Sequence, residues 1–134
     1  MEIRFLTVED VLGLHEDSIR LYGGGTGVRD HGLLESAVLS IQQTFGGEFL
    51  YPTLFAMAAA IWHGVVANHP FVDGNKRTGL RAGHTLLLIN GWNLTLSSDE
   101  VEELTLQIAK GELTRDQLAE VIESHIEPLS HNLN

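Results

Sequence analysis

The sequence predicts an all-α fold, a compact body of about six helices with a short loop or hairpin among them. Three observations carry this. Helix-start chemistry recurs ahead of apolar periodicity at Thr7, Asp30, Ser97 and Thr114; the stretch Leu54 to Trp62 is apolar on every face; and only Trp92 to Leu96 alternates with the period of two that a strand needs.

Thr7 with Asp10 three residues on can cap a first helix, and Val11, Leu14, Ile19 and Tyr22 follow near helical spacing. That helix is expected to run to about Leu21, where Gly23-Gly24-Gly25 stops it. Asp30 caps a second helix whose Leu33, Leu34, Ala37, Val38 and Ile41 form an apolar stripe. Gly46-Gly47 ends that region, and Thr44 to Tyr51 reads as a loop or short hairpin. Pro52 suits the first turn of a third helix, which must be central and buried because none of its faces is polar.

Asn68-His69-Pro70 breaks the third helix, and a fourth starts near Gly74 to Lys76, runs through Leu86-Leu87-Leu88-Ile89 and stops at Asn90-Gly91. Gly79 and Gly83 lie one turn apart inside it. Glycine in a helix costs roughly 1 kcal/mol relative to Ala, so another helix backbone is expected to come close there. Trp92 to Leu96 reads equally as a short strand or an extended linker, with no obvious partner. Capping boxes at Ser97/Glu100 and Thr114/Gln117 open two last helices, carrying Val101, Leu104, Ile108 and Leu118, Val121, Ile122. No repeat or linker divides the chain, so residues 1–134 are expected to form a single domain.

Composition narrows the function classes. Of 134 residues, 43% are hydrophobic and 19% charged, which suits a folded globule. The formal charge of -10 repels phosphate backbones and anionic lipid, so neither direct nucleic-acid binding nor membrane binding is expected. With no cysteine there is no disulfide, thiolate nucleophile or cysteine zinc site. The N-terminus lacks the basic and apolar regions of a secretory signal, and a cytoplasmic location is expected. The longest nearly apolar run, Leu54 to Ala67, has 14 residues with His63 inside it. A bilayer span needs about 20.

Against that acidic background, three of the eight basic residues, Lys76, Arg77 and Arg81, fall within six positions. They directly follow a loop holding His69, Asp73, Gly74 and Asn75. Free backbone N–H groups at a helix start, with a glycine permitting close approach, make an anion site that the helix dipole reinforces. Lys76 and Arg77 oppose that dipole unless an anion is present, and a bound phosphate would account for them. Pro70 and Phe71 can pin the loop and present the His69 imidazole beside the anion site, where it could take a hydroxyl proton near neutral pH. Read singly, the same residues also fit a surface turn capped by Asp73 or Asn75 with solvated cations.

Jointly, His69-Pro70-Phe71-Val72-Asp73-Gly74-Asn75-Lys76-Arg77-Thr78 closely resembles the signature of the Fic/Doc family in its Doc form. The resemblance extends over nearly the whole chain, including Gly27-Val28-Arg29-Asp30-His31-Gly32-Leu33-Leu34-Glu35-Ser36-Ala37 and the apolar helix before the motif. Fic proteins carry His-Pro-Phe-x-Asp/Glu-Gly-Asn-Gly-Arg-x-x-Arg and transfer AMP from ATP to a hydroxyl. Doc toxins have Lys at the second Gly, here Lys76, and transfer the terminal phosphate of ATP to a threonine of elongation factor Tu. The resemblance implies His69 as general base, Asp73 as the residue holding Mg²⁺, and Gly74, Asn75, Lys76 and Arg77 as the phosphate-binding set. Phe71 would anchor the loop, and Thr78 would be a plain helix residue.

Two features depart from the Fic pattern. Its second Arg falls at Leu80, and Arg81 is one residue further, which turns it about 100° around the helix. Arg81 is therefore open to phosphate contact or to an outward salt bridge. The family's inhibitory Ser/Thr-x-x-x-Glu-Gly/Asn helix is missing, the nearest fit running from Thr44 to Glu48 before Phe49. Restraint would then come from a separate antitoxin chain.

The remaining features have plainer readings. Gly23-Gly24-Gly25-Thr26-Gly27 lacks the Gly-Lys-Ser/Thr of a Walker loop and is read as a flexible turn. His63 is read as a core histidine, and Trp62 and Trp92 as packing residues. His15, His31, His84, His125 and His131 show no zinc-site spacing. The segment from Ser97 onward has nine acidic and two basic residues, suiting a solvated face or a surface for a basic partner. Phe45 to Tyr51 occupies the position of the family's target-docking flap. The expected protein is thus a Doc-like toxin kinase using ATP and Mg²⁺, with an antitoxin and elongation factor Tu as partners. The alternatives are a Fic-type AMP transferase and a non-catalytic nucleotide- or partner-binding module.

Overall fold

The computed structural model describes residues 2–129, and His131 lies outside them. Six α-helices dominate: α1 (Val8–Tyr22), α2 (His31–Leu39), α3 (Leu54–Asn68), α4 (Asn75–Ile89), α5 (Ser98–Ala109) and α6 (Arg115–Ser124). Each sequence-local start signal is used. Thr7/Asp10, Ser97/Glu100 and Thr114/Gln117 form reciprocal capping boxes, and Asp30 accepts from the Leu33 N–H. Pro52 stands one place before the cap of α3 instead of in its first turn. The Thr53 hydroxyl accepts from the Ala56 N–H at 3.0 Å, so a side chain that can satisfy the free donor sets the start at Leu54.

α3 is the central helix, with Met57 to Trp62, Val65 and Val66 buried and α2, α4, α5 and α6 packed around it. Trp62 donates its indole N–H to the buried Thr105 hydroxyl on α5 at 3.1 Å. Along the α3/α4 seam the glycines let two backbones touch. A Cβ at Gly79 would lie 2.8 Å from the Trp62 carbonyl oxygen and 2.7 Å from Val66 Cγ2. At Gly83 it would lie 3.1 Å from the Ala58 carbonyl oxygen and 3.0 Å from Trp62 Cβ. The close approach expected at Gly79 and Gly83 is therefore made by α3.

Thr44 to Tyr51 contains a hairpin, β1 (Thr44–Phe45) against β2 (Glu48–Phe49), turned by Gly46 and Gly47, both with positive φ. Phe45 at its tip is 86% exposed. Trp92 to Leu96 also finds a partner: β3 (Trp92–Leu94) pairs antiparallel with β4 (Ile126–Pro128), in the register Trp92 to Pro128, Asn93 to Glu127 and Leu94 to Ile126. Trp92 packs edge-on against Phe55. His63 is half-buried and donates from Nε2 to the Leu113 carbonyl at 3.1 Å; burial holds its pKa below the ordinary histidine value. No helix among the described residues is long and apolar enough to cross a membrane.

Candidate active site

The site is assembled on the loop between α3 and α4. Pro70 disfavours the right-handed helical conformation at the residue before it, and α3 ends in His69 with φ 50 and ψ 58. His69 is the sole non-glycine residue with positive φ among the described residues, and its imidazole is exposed.

Behind His69 the loop is fastened from three sides. Phe71 is buried, and its ring stacks on that of His15 from α1, with centroids 3.9 Å apart and planes 6° from parallel. His15 Nε2 lies 2.8 Å from the Asp73 carbonyl oxygen, which can only accept, so Nε2 carries the proton. The Asn75 side chain closes the loop on itself, accepting from the Phe71 N–H at 2.9 Å and donating to the Phe71 carbonyl at 3.0 Å.

The glycine-rich turn forms the third fastening. Val28 bridges to Phe71, the Val72 N–H donates to the Gly27 carbonyl at 3.1 Å, and the Gly25 N–H donates to Asp73 Oδ2 at 3.1 Å. The other oxygen of Asp73 accepts from the Gly74 N–H at 2.9 Å. These two backbone bonds, Gly25's first, hold the Asp73 carboxyl below the usual carboxylate range, with the positive charge of Arg77 and the His15 ring adding to them. Asp73 is thus an exposed, ionised carboxylate at neutral pH. A Cβ at Gly24 would sit 2.9 Å from Asp73 Oδ2, so the contact needs a glycine. The turn read as flexible is in fact part of the site's scaffold, as is His15. Neither carries a local signal, because both reach Asp73 across about fifty residues of chain.

α4 is preceded by Gly74 at its cap position with φ 77, has no side-chain cap and carries no acidic residue in its first turn. Lys76 and Arg77 are exposed there, and the Arg77 guanidinium lies 4.4 Å from the centre of the Tyr22 ring. Of the two courses left open for Arg81, no salt bridge is made among the described residues: it donates from Nη1 to the Ser18 hydroxyl at 3.0 Å and the Leu14 carbonyl at 3.3 Å, tying α4 to α1, while it also borders the cleft. The Asn75 carboxamide spends its oxygen and one N–H on Phe71, which leaves its second amide hydrogen and its backbone N–H. Thr78 is buried in α4.

All the residues expected at the site come together around one cleft of about 860 Å³: His69, Asp73, Gly74, Asn75, Lys76, Arg77 and Arg81. Tyr22 from α1 and Val101, Glu102, Thr105 and Leu106 from α5 supply its other walls. Its size suits a small-molecule ligand, with a cationic, N–H-lined end and a partly apolar side. Among the described residues no three His, Asp or Glu side chains gather as a metal cage.

A family model described as Fic/DOC family matches residues 5–87. The chain is 39% identical over 117 residues to the Toxin Doc of Mycolicibacterium smegmatis, covering 86% of this chain and 88% of that protein. It is 30% identical over 120 residues to the Protein kinase doc of Escherichia phage P1, covering 90% and 94%. Matched by the family across most of its helices and by two Doc proteins nearly end to end, the chain belongs to the Fic/DOC family.

Proposed function

We propose that the protein is the toxin of a toxin–antitoxin pair and a protein kinase, transferring the γ-phosphate of ATP to a Ser/Thr hydroxyl of a protein, elongation factor Tu. The names of the two Doc relatives support the toxin and kinase parts of this reading. One observation carries it: an exposed imidazole, His69, borders the same cleft as the uncapped start of α4 with Lys76 and Arg77.

The residues present fit the nucleotide and its metal. Gly74 takes a left-handed turn in which a Cβ would press on Ile19 Cδ1 at 3.1 Å, and α4 starts without a side-chain cap, leaving its first N–H groups for phosphate oxygens. Asp73 stays ionised and reachable, and Mg²⁺ ordinarily binds through one or two carboxylates with phosphate oxygens and water. Bound there, Mg²⁺ would supply charge neutralisation on the phosphates. Lys76, Arg77 and the helix start hold the phosphate chain, and the His15 and Asn75 clasps keep the loop in shape. His69 takes the proton from the attacking hydroxyl. Phosphoryl transfer asks for positioning and charge more than covalent chemistry, so this small set suffices. The protein would act in the cytoplasm, restrained by a cognate antitoxin chain.

The test incubates the purified protein and elongation factor Tu with Mg²⁺ and ATP labelled at either the α or the γ phosphate, with His69→Ala as control. Label from γ-ATP alone, absent in the control, is expected. Label from α-ATP would instead make the protein an AMP transferase, and equal labelling by His69→Ala would remove the general base.

A further inference from the structure

Three consecutive carbonyls at the end of α3 are taken up by one dipeptide outside the signature motif. Arg29 donates from Nε to the His69 carbonyl at 2.7 Å and from Nη2 to the Asn68 carbonyl at 2.8 Å. The backbone N–H groups of Arg29 and Asp30 both donate to the Pro70 carbonyl, at 2.7 and 3.0 Å. A helix leaves its last carbonyls unpaired and gathers partial negative charge there, which suits a guanidinium. The chain has 18 acidic residues, yet among the described residues Arg29 forms no ion pair; its charge is directed at the helix end. The strap is anchored at its far side, because Asp30 caps α2 through the Leu33 N–H at 3.0 Å and α2 buries Leu34, Ala37 and Val38.

What the strap holds is the unusual turn at His69. A non-glycine residue at φ 50 pays a steric penalty that its surroundings must offset. The backbone torsions of His69 also decide where its Cβ, and hence its imidazole, points. We infer that Arg29 is a positioning residue: its planar fork across the Asn68 and His69 carbonyls holds His69 in the left-handed turn and so aims the imidazole into the cleft. The inference rests on the phosphoryl transfer proposed above for the His69 role. Arg29 does not line the cleft. Lysine has the charge without the fork and satisfies one carbonyl at a time, so it should do part of the task.

The test compares the full chain with Arg29→Gln and Arg29→Lys by two readouts. The first is the Cα and Cβ chemical shifts of His69, which report its backbone torsions without any activity. The second is kcat and the KM for ATP in the labelled-phosphate assay. Arg29→Gln is expected to move the His69 shifts off their left-handed values and to lower kcat roughly 10- to 100-fold, the scale of a slightly misplaced catalytic group. The KM for ATP should change by less than about twofold, because Lys76 and Arg77 stand on α4 and not on the strap. Arg29→Lys should fall between wild type and Arg29→Gln, and it carries the comparison if Arg29→Gln does not fold. Unmoved His69 shifts overturn the inference, as do moved shifts with an unchanged kcat, or a loss confined to KM. If the wild type transfers no phosphate, the proposed activity fails while the His69 shifts still decide whether Arg29 holds the turn.

Discussion

Replacing Asn75 with Ala separates two roles that its amide could serve. The side chain pairs both backbone groups of buried Phe71, at 2.9 Å to the N–H and 3.0 Å from the carbonyl. Removing it strands one buried donor and one buried acceptor, each costing about 1–3 kcal/mol, so Asn75→Ala should destabilise the protein by about 2–6 kcal/mol. With an unfolding entropy of roughly 2.1 cal/mol/K per residue over this length, the melting point should fall by about 7–21 °C. Asn75→Asp keeps an acceptor for the Phe71 N–H but sets a second oxygen against the Phe71 carbonyl, so it should also destabilise at neutral pH. The assay is thermal unfolding followed by circular dichroism, paired with titration of ATP. A side chain whose task was to grip phosphate would give the opposite pattern, an unchanged melting point with weakened ATP binding. A melting point for Asn75→Ala within about 2 °C of wild type would refute the reasoning, since that is well under 1 kcal/mol.

The other predictions concern the seam and the loop. Alanine at Gly79 gains about 1 kcal/mol of helix propensity but forces apart backbones already in contact, where overpacking costs about 1–3 kcal/mol. Gly79→Ala, with contacts of 2.7 and 2.8 Å, should therefore destabilise more than Gly83→Ala, with 3.0 and 3.1 Å; urea midpoints in the reverse order would show that the seam is not what sets the cost. Asp73 has a folded-state pKa below its unfolded one, so the unfolded chain takes the proton first as pH falls. Its contribution is complete above the usual carboxylate range and is lost as pH falls through the folded-state value. The stability gap between wild type and Asp73→Asn should be open at neutral pH and close in acid, as read from urea midpoints. Gly24→Ala, which puts a methyl 2.9 Å from Asp73 Oδ2, should loosen the Gly25 bond and move the Asp73 titration, followed by carboxyl NMR, back toward the ordinary range.

What could be read from the sequence was what lies close along the chain. Thr7 and Asp10, Ser97 and Glu100, and Thr114 and Gln117 are three residues apart, so their capping boxes are written locally. The motif from His69 to Thr78 is contiguous and could be recognised as a unit. The parts that escaped are made by distant pairings. β4 is three residues ending in a proline, too short to show a period, and it meets β3 only after α5 and α6 have turned the chain back. Gly25 and His15 reach Asp73 from 48 and 58 residues away. Nothing in five small residues says that another loop's carboxylate will rest on them. For Asn75 the residue type was legible and its partner was not, because an amide suits phosphate and backbone equally until burial decides. Arg81 could be removed from the second-Arg position by helix geometry, but that α1 would lie against it required the fold.

The bare glycine seam between α3 and α4 also bears on motion. Packed helices shift past one another when side chains can exchange one set of gaps for another. Where α3 carbonyls stand 2.8 and 3.1 Å from the places a Cβ would take at Gly79 and Gly83, there are no such alternative settings, so α3 and α4 are expected to move as one rigid body. His69 at the end of one helix and Lys76 at the start of the other therefore keep their separation whatever enters the cleft. Adaptation falls to the walls outside this pair, the exposed Tyr22 ring at the end of α1 and the α5 face with Leu106. One side of the cleft is therefore set during folding, and adjustment is left to the wall of Tyr22 and α5.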